Sequence, residues 1–213
     1  LTVMLMVDVS GSLEFGTVKQ LKKDMVTEIA ATLAFSAIQN NDKIGVIFFS
    51  DRIEKFIPPK KGRKHILYII RELLDFKPES RRTNIRLALE YLTNVMKRRC
   101  TAFILSDFID RESFTNALTI ANRKHDVVAL QVYDRRVSEL PSVGLMRIKD
   151  AETGHEQWID TSSKAVRKAH HDWWIQKQTE LSDAFTKSNV DAVSVRTDED
   201  YVKALLNLFA KRN

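Results

Sequence analysis

Short apolar runs alternate along the chain with longer segments whose apolar residues recur at helical spacing. Thr2 to Val7 (TVMLMV) is such a run, stopped by a polar loop, as in a strand buried on both faces. From roughly Phe15 to Asn40 the spacing of Val18, Leu21, Met25, Ile29 and Leu33 predicts a helix. Ile44 to Phe49 (IGVIFF) predicts a second buried strand. Ile53 to Ile57 predicts a short edge strand that stops before Pro58-Pro59, because proline cannot donate to a ladder. Two helices are expected next, roughly Arg63 to Leu74 and Asn84 to Lys97, the second with Ile85, Leu89, Leu92 and Met96 on one face. Thr101 to Ser106 (TAFILS), Val127 to Val132 (VVALQV) and Ala192 to Arg196 (AVSVR) complete the apolar strands, with helical patterns between them.

That alternation predicts an α/β fold: a Rossmann-like, doubly wound sheet of six mostly parallel strands with an antiparallel edge strand and helices on both faces. One segment departs from it. Gly144 to Lys149 and Glu156 to Asp160 flank Glu152-Thr153-Gly154 and read as a β-hairpin inserted after the fifth strand, at about residues 143–160. There is no internal repeat and no low-complexity linker. With 213 residues, 44% of them hydrophobic, the chain can bury a real core, and one domain over residues 1–213 is expected. It opens on Leu1 and enters a strand pattern at once, as a portion excised from a longer protein would.

Composition adds little to this picture. Lys and Arg number 34 against 28 Asp and Glu, and the resulting charge of +6 favours acidic partners or nucleic acid without saying which, though the excess is modest for a nucleic-acid protein. Cys100 is the only cysteine, which excludes an internal disulfide and a thiolate zinc site. No apolar run approaches the roughly 18 to 20 residues of a membrane-spanning helix, and the N-terminus lacks a signal-peptide pattern. A cytoplasmic location is expected, which leaves a membrane-associated parent protein open.

The chemistry is sought where open α/β sheets bind ligands, beyond the carboxyl ends of the strands. Asp8-Val9-Ser10-Gly11-Ser12 follows the first strand, and Asp107 follows the strand Thr101 to Ser106. If those strands are central neighbours, both carboxylates face one crevice. Thr83 stands at the start of a helix, where threonine is a common N-cap and its hydroxyl can turn the same way. Two carboxylates and three hydroxyls make a hard, all-oxygen set that suits Mg²⁺ or Mn²⁺ better than zinc or copper. With only two anionic groups, such a site keeps residual positive charge and leaves a coordination position for an outside carboxylate.

On these residues the chain resembles the von Willebrand factor A (vWA) family, whose metal-ion-dependent adhesion site uses D-x-S-x-S, then a Thr, then an Asp after the fourth strand. The resemblance implies that the hydroxyls of Ser10, Ser12 and Thr83 bind the ion, that Asp8 and Asp107 act largely through water, and that a partner's acidic residue completes the shell. Asn41-Asp42-Lys43-Ile44-Gly45-Val46, Phe49-Ser50-Asp51, Arg82-Thr83-Asn84-Ile85 and Ile104-Leu105-Ser106-Asp107-Phe108, with the Gly-bearing hairpin, look like a narrower bacterial branch, domain-of-unknown-function family fifty-eight. Members are usually encoded beside MoxR-type AAA+ ATPases, which implies such an ATPase or its client as partner, in maturation or cofactor insertion. Phe108 departs from the many A domains that carry glycine there, which weighs against a large integrin-like loop movement.

Other readings are weaker. A phosphoryl-transfer hydrolase would also place an Asp after its first strand and bind Mg²⁺, but it wants a second carboxylate two residues on, where Ser10 stands. Neither a phosphate-binding G-x-x-x-x-G-K-[ST] loop nor a G-x-S-x-G elbow is present. Nucleic-acid binding rests on charge alone. His170-His171-Asp172-Trp173-Trp174 lacks the i, i+4 histidine pair that grips zinc, and its two tryptophans cannot both face the core. Cys100 reads as inert packing. Arg81-Arg82, Arg111 and Arg135-Arg136 are expected to form a positive rim that selects an acidic partner segment.

Overall fold

The computed structural model describes residues 1–17 and 20–212. Strand β1 (Thr2–Asp8) leads through a 3-10 turn (Gly11–Glu14) into α1 (Lys22–Gln39). Then come β2 (Lys43–Phe49), β3 (Ile53–Lys60), α2 (Arg63–Asp75), α3 (Ile85–Val95), β4 (Thr101–Ser106), α4 (Thr115–Lys124) and β5 (Asp126–Tyr133). The one-turn α5 (Arg135–Ser138) precedes β6 (Leu145–Lys149) and β7 (Glu156–Asp160), and α6 (Lys164–Lys187), β8 (Asp191–Arg196) and α7 (Tyr201–Arg212) follow.

The main sheet has six strands in the order β3-β2-β1-β4-β5-β8, parallel throughout except for β3, which runs antiparallel to β2 at one edge. Both faces of β1 are buried, and its side chains alternate between two cores. Val3, Leu5 and Val7 join Met25, Ile29, Leu33, Ile66, Ile69, Leu205 and Leu208, beneath α1, α2 and α7. Met4 and Met6 join Ile85, Leu89, Leu92, Leu118 and Phe185, beneath α3, α4 and α6. A one-residue slip of β1 would exchange every side chain between the cores, so its register is firmly set. With it is set the point where Asp8 leaves the sheet.

Three local expectations are corrected. The helix predicted from Phe15 begins only at Lys22. The chain first makes the 3-10 turn, Lys22 N–H donates to the Phe15 carbonyl at 2.9 Å, and Thr17 is drawn 2.9 Å from Asp134. Val18, assigned to that helix by its spacing, lies outside the described residues. Strand β3 continues through Pro58-Pro59 to Lys60, which an edge strand tolerates because one side of its ladder is unpaired. The N-cap of α3 is Asn84, whose side chain accepts from Leu87 N–H at 2.9 Å, so Thr83 is not the cap.

The expected hairpin is present as a separate two-stranded sheet of β6 and β7, with Lys149 opposite Glu156. Leu145 and Trp158 on it are exposed. Among the described residues no helix is long and apolar enough to cross a membrane.

Candidate functional site

Strand β1 pairs with β2 on one side and β4 on the other, so the chain reverses direction across the sheet between β1 and β4. Val7 lies opposite Leu105, which puts Asp8 beside Ser106 and Asp107 at the carboxyl edge, the usual ligand position in this architecture. Asp8 is buried. One carboxylate oxygen accepts from Ser10 N–H at 2.9 Å and the other from the Ser106 hydroxyl at 2.5 Å. The Ser10 and Ser12 hydroxyls, both buried, lie 3.0 Å apart.

Thr83 is brought to the same edge by backbone ties on either side of it. Gly11 N–H donates to the Arg81 carbonyl at 2.9 Å, Asn84 N–H to the Ser50 carbonyl at 3.0 Å, and Ile85 N–H to the Asp110 carboxylate at 2.8 Å. Freed from capping duty, the Thr83 hydroxyl is buried with no well-formed hydrogen bond. An orphaned buried hydroxyl costs about 1–3 kcal/mol, so it is a group that a ligand would satisfy.

Asp107 is buried and carries an ion pair that sequence reasoning missed. The ammonium of Lys22, the first residue of α1 and itself only 2% exposed, donates to Asp107 at 2.6 Å. The other Asp107 oxygen accepts from Ile109 N–H at 3.1 Å. Burial, and then the charge of Asp107, push the Asp8 carboxyl well above the usual carboxylate range, against the hydrogen bonds from Ser106 and Ser10. Phe108, next in the chain, adopts a left-handed backbone (φ 57°) that costs a bulky residue about 1–2 kcal/mol. Its ring is anchored against Phe114 and Phe185.

All five expected site residues therefore lie at one edge of the sheet. The donors fit a small hard cation in kind, since all are oxygen. They fit in demand too: Thr83 has no well-formed hydrogen bond, and a positive charge would relieve the repulsion between Asp8 and Asp107. Lys22 works the other way, having already supplied one positive charge. Among the described residues no three acidic, histidine or cysteine side chains form a cage; the five expected residues offer two carboxylates and three hydroxyls.

The first 180 residues match the family described as protein of unknown function DUF58. The chain belongs to that family. An uncharacterised protein of Mycobacterium tuberculosis is 28% identical to this DUF58 chain over 219 residues, covering all of the chain and 67% of its own length. Among solved structures, the conserved hypothetical protein BatB from Bacteroides thetaiotaomicron superposes with a TM-score of 0.66 at 16% identity, covering 99% of this chain and 98% of its own. The SpRpn10 VWA domain superposes with a TM-score of 0.53 at 9% identity, covering 99% and 94%. The fold of this DUF58 chain is thus vWA-like and Rossmann-type.

Of the five arginines expected to form a positive rim, three have acidic partners within the chain. Arg81 pairs with Glu14 at 2.7 Å, Arg111 with Asp150 and Glu152 at 3.6 and 3.8 Å, and Arg135 with Glu139 at 3.2 Å. The two tryptophans divide as their spacing required: Trp174 is buried against Tyr133, while Trp173 is half-exposed beside His170. Cys100 is buried, and burial pushes its thiol up to about 11, far from a reactive thiolate. Lys22 carried no sequence signal, since a lysine at the start of a helix is ordinarily solvated.

Proposed function

We propose that this chain is a non-enzymatic protein-interaction module that holds Mg²⁺, or Mn²⁺, through Asp8, Ser10, Ser12, Thr83 and Asp107 and captures a carboxylate from a partner protein. The observation that carries the reading is the buried Thr83 hydroxyl, without a well-formed hydrogen bond, at the same sheet edge as two mutually repelling carboxylates. Ser10, Ser12 and Thr83 would supply neutral oxygens, and Asp8 and Asp107 the negative charge. The bound ion would supply a positive centre for an incoming carboxylate. Ser106 orients Asp8 through its 2.5 Å bond, and Lys22 holds Asp107 in place.

The vWA-like fold supports protein interaction, and membership of DUF58 supports a partner of the MoxR-type AAA+ ATPase class, or its client, in protein maturation or complex assembly. A hydrolytic alternative gains no support from three of the five histidines. His65 and His125 are bonded to Ile44 and Cys100 at the opposite edge of the sheet, and His170 to the Val137 carbonyl.

The test is titration of Mg²⁺ and Mn²⁺ by calorimetry or thermal shift on the wild-type chain and on Asp8→Ala, with and without an excess of acetate. Binding should vanish in the variant while the fold is kept, should strengthen with acetate, and should be accompanied by no turnover of a generic phosphate ester. No metal binding in the wild type under any condition would overturn the reading in favour of a metal-free scaffold.

A further inference from the structure

The turn between β6 and β7 is folded back over the crevice. The Ala151 carbonyl lies so close to Gly11 that a Cβ there would stand 2.7 Å from it, so only glycine lets the turn approach the Asp8 loop this closely. Glu152, the next residue, points inward. Its side chain is 16% exposed, against 44% for Asp150 and 41% for Glu156 on the same hairpin. Arg111, four residues beyond Asp107, sits 3.8 Å from the Glu152 carboxylate. Thr83 faces the same carboxylate, close enough to feel it but outside good hydrogen-bond geometry.

The turn holds this pose firmly. The Asp150 side chain accepts from Glu152 N–H at 2.9 Å and Thr153 N–H at 2.8 Å, and Gly154 N–H closes on the Asp150 carbonyl at 2.8 Å. Burial pushes the Glu152 carboxyl up, so holding it there is unfavourable by itself, and the hairpin, exposed over most of β6 and β7, does not need it for packing. Its chemistry is that of the group the crevice is read as capturing.

We propose that Glu152 is the chain's own occupant of the site, a carboxylate carried on the hairpin turn that competes with the partner's acidic residue, so that the turn must lift before a partner docks. This rests on the metal-dependent reading above. A site that is closed nine-tenths of the time loses about tenfold in apparent affinity, and removing the internal competitor restores it.

The experiment titrates the 213-residue chain, Glu152→Gln and the control Glu156→Gln with Mg²⁺, and then with a capped glutamate peptide in the presence of Mg²⁺. Amide hydrogen exchange of residues 150–154 is followed in parallel. The peptide should bind Glu152→Gln about tenfold more tightly than the wild type, with Glu156→Gln unchanged. In the wild type it should accelerate exchange of the turn amides. Equal peptide affinity in all three chains, with Mg²⁺ binding intact and turn exchange unmoved by peptide, would overturn this inference alone. Absence of Mg²⁺ binding in all three would overturn the underlying reading and this one with it.

Discussion

Asp8 and Asp134 end parallel strands of one sheet, at the same edge, and both are buried, yet their surroundings treat them in opposite ways. Asp134 is saturated. One oxygen accepts from the Thr17 hydroxyl and Arg136 N–H, each at 2.7 Å, and the other from Thr17 N–H and the Thr197 hydroxyl, each at 2.9 Å. Burial pushes its carboxyl up, but those bonds outweigh it and hold it below the usual range. Asp8 has two donors and a neighbouring Asp107, and it is held above the usual range. Four donors make a carboxylate a structural tie between the loop before α1 and the ends of β5 and β8. Two donors and a like charge leave one with capacity to bind.

The largest effect that would sharpen this contrast is expected from Asp107→Ala, which strands the buried Lys22 ammonium. Losing one member of a buried pair costs about 3–5 kcal/mol, readable as a fall in denaturation midpoint at constant slope. A loss near zero would mean that Lys22 finds water or another acceptor, and that the crevice is less closed than Asp134's surroundings.

Asp134→Ala comes next, at about 3 kcal/mol, because it leaves buried donors unpaired. Its pH dependence has a definite sign. Since the folded carboxyl is depressed, the stabilisation is present above the unfolded value of about 3.9 and is lost as pH falls through the lower folded value. Wild type and Asp134→Ala should therefore converge in stability in strong acid; parallel curves would refute the assignment.

The smallest effects are the most discriminating. Thr197→Val removes a donor that Asp134 uses and should cost about 1–2 kcal/mol. Thr83→Val removes a hydroxyl with no good partner and should change metal-free stability by less than about 0.5 kcal/mol or raise it, while abolishing any Mg²⁺-induced thermal shift. Equal losses at the two threonines would erase the distinction between a saturated tie and an open site.

The fold was legible because strands buried on both faces read as uninterrupted apolar runs, and the predicted TAFILS run coincides with β4. The hairpin was legible from its Glu-Thr-Gly turn between alternating segments. Local competition was not. Thr83 and Asn84 are both good caps, and only the three-dimensional path of the chain, tied at Arg81 and Ser50, decides that Asn84 caps α3 and Thr83 does not. Phe15 to Leu21 carries helical spacing, but the bonds from Thr17 to Asp134, 117 positions away, favour a different path.

By itself the sequence determined the strand set, the parallel α/β architecture and the identity of the five candidate oxygen donors, because burial periodicity and residue chemistry are local properties. Tertiary structure alone decided that β1 and β4 are neighbours, that Lys22 loses its water to pair with Asp107 across 85 positions, and that Glu152 turns in toward Thr83 rather than out to solvent. The physical reason is that the cost of removing a charge from water, and the partner that offsets it, depend on what the folded chain brings alongside. No spacing along the chain encodes that.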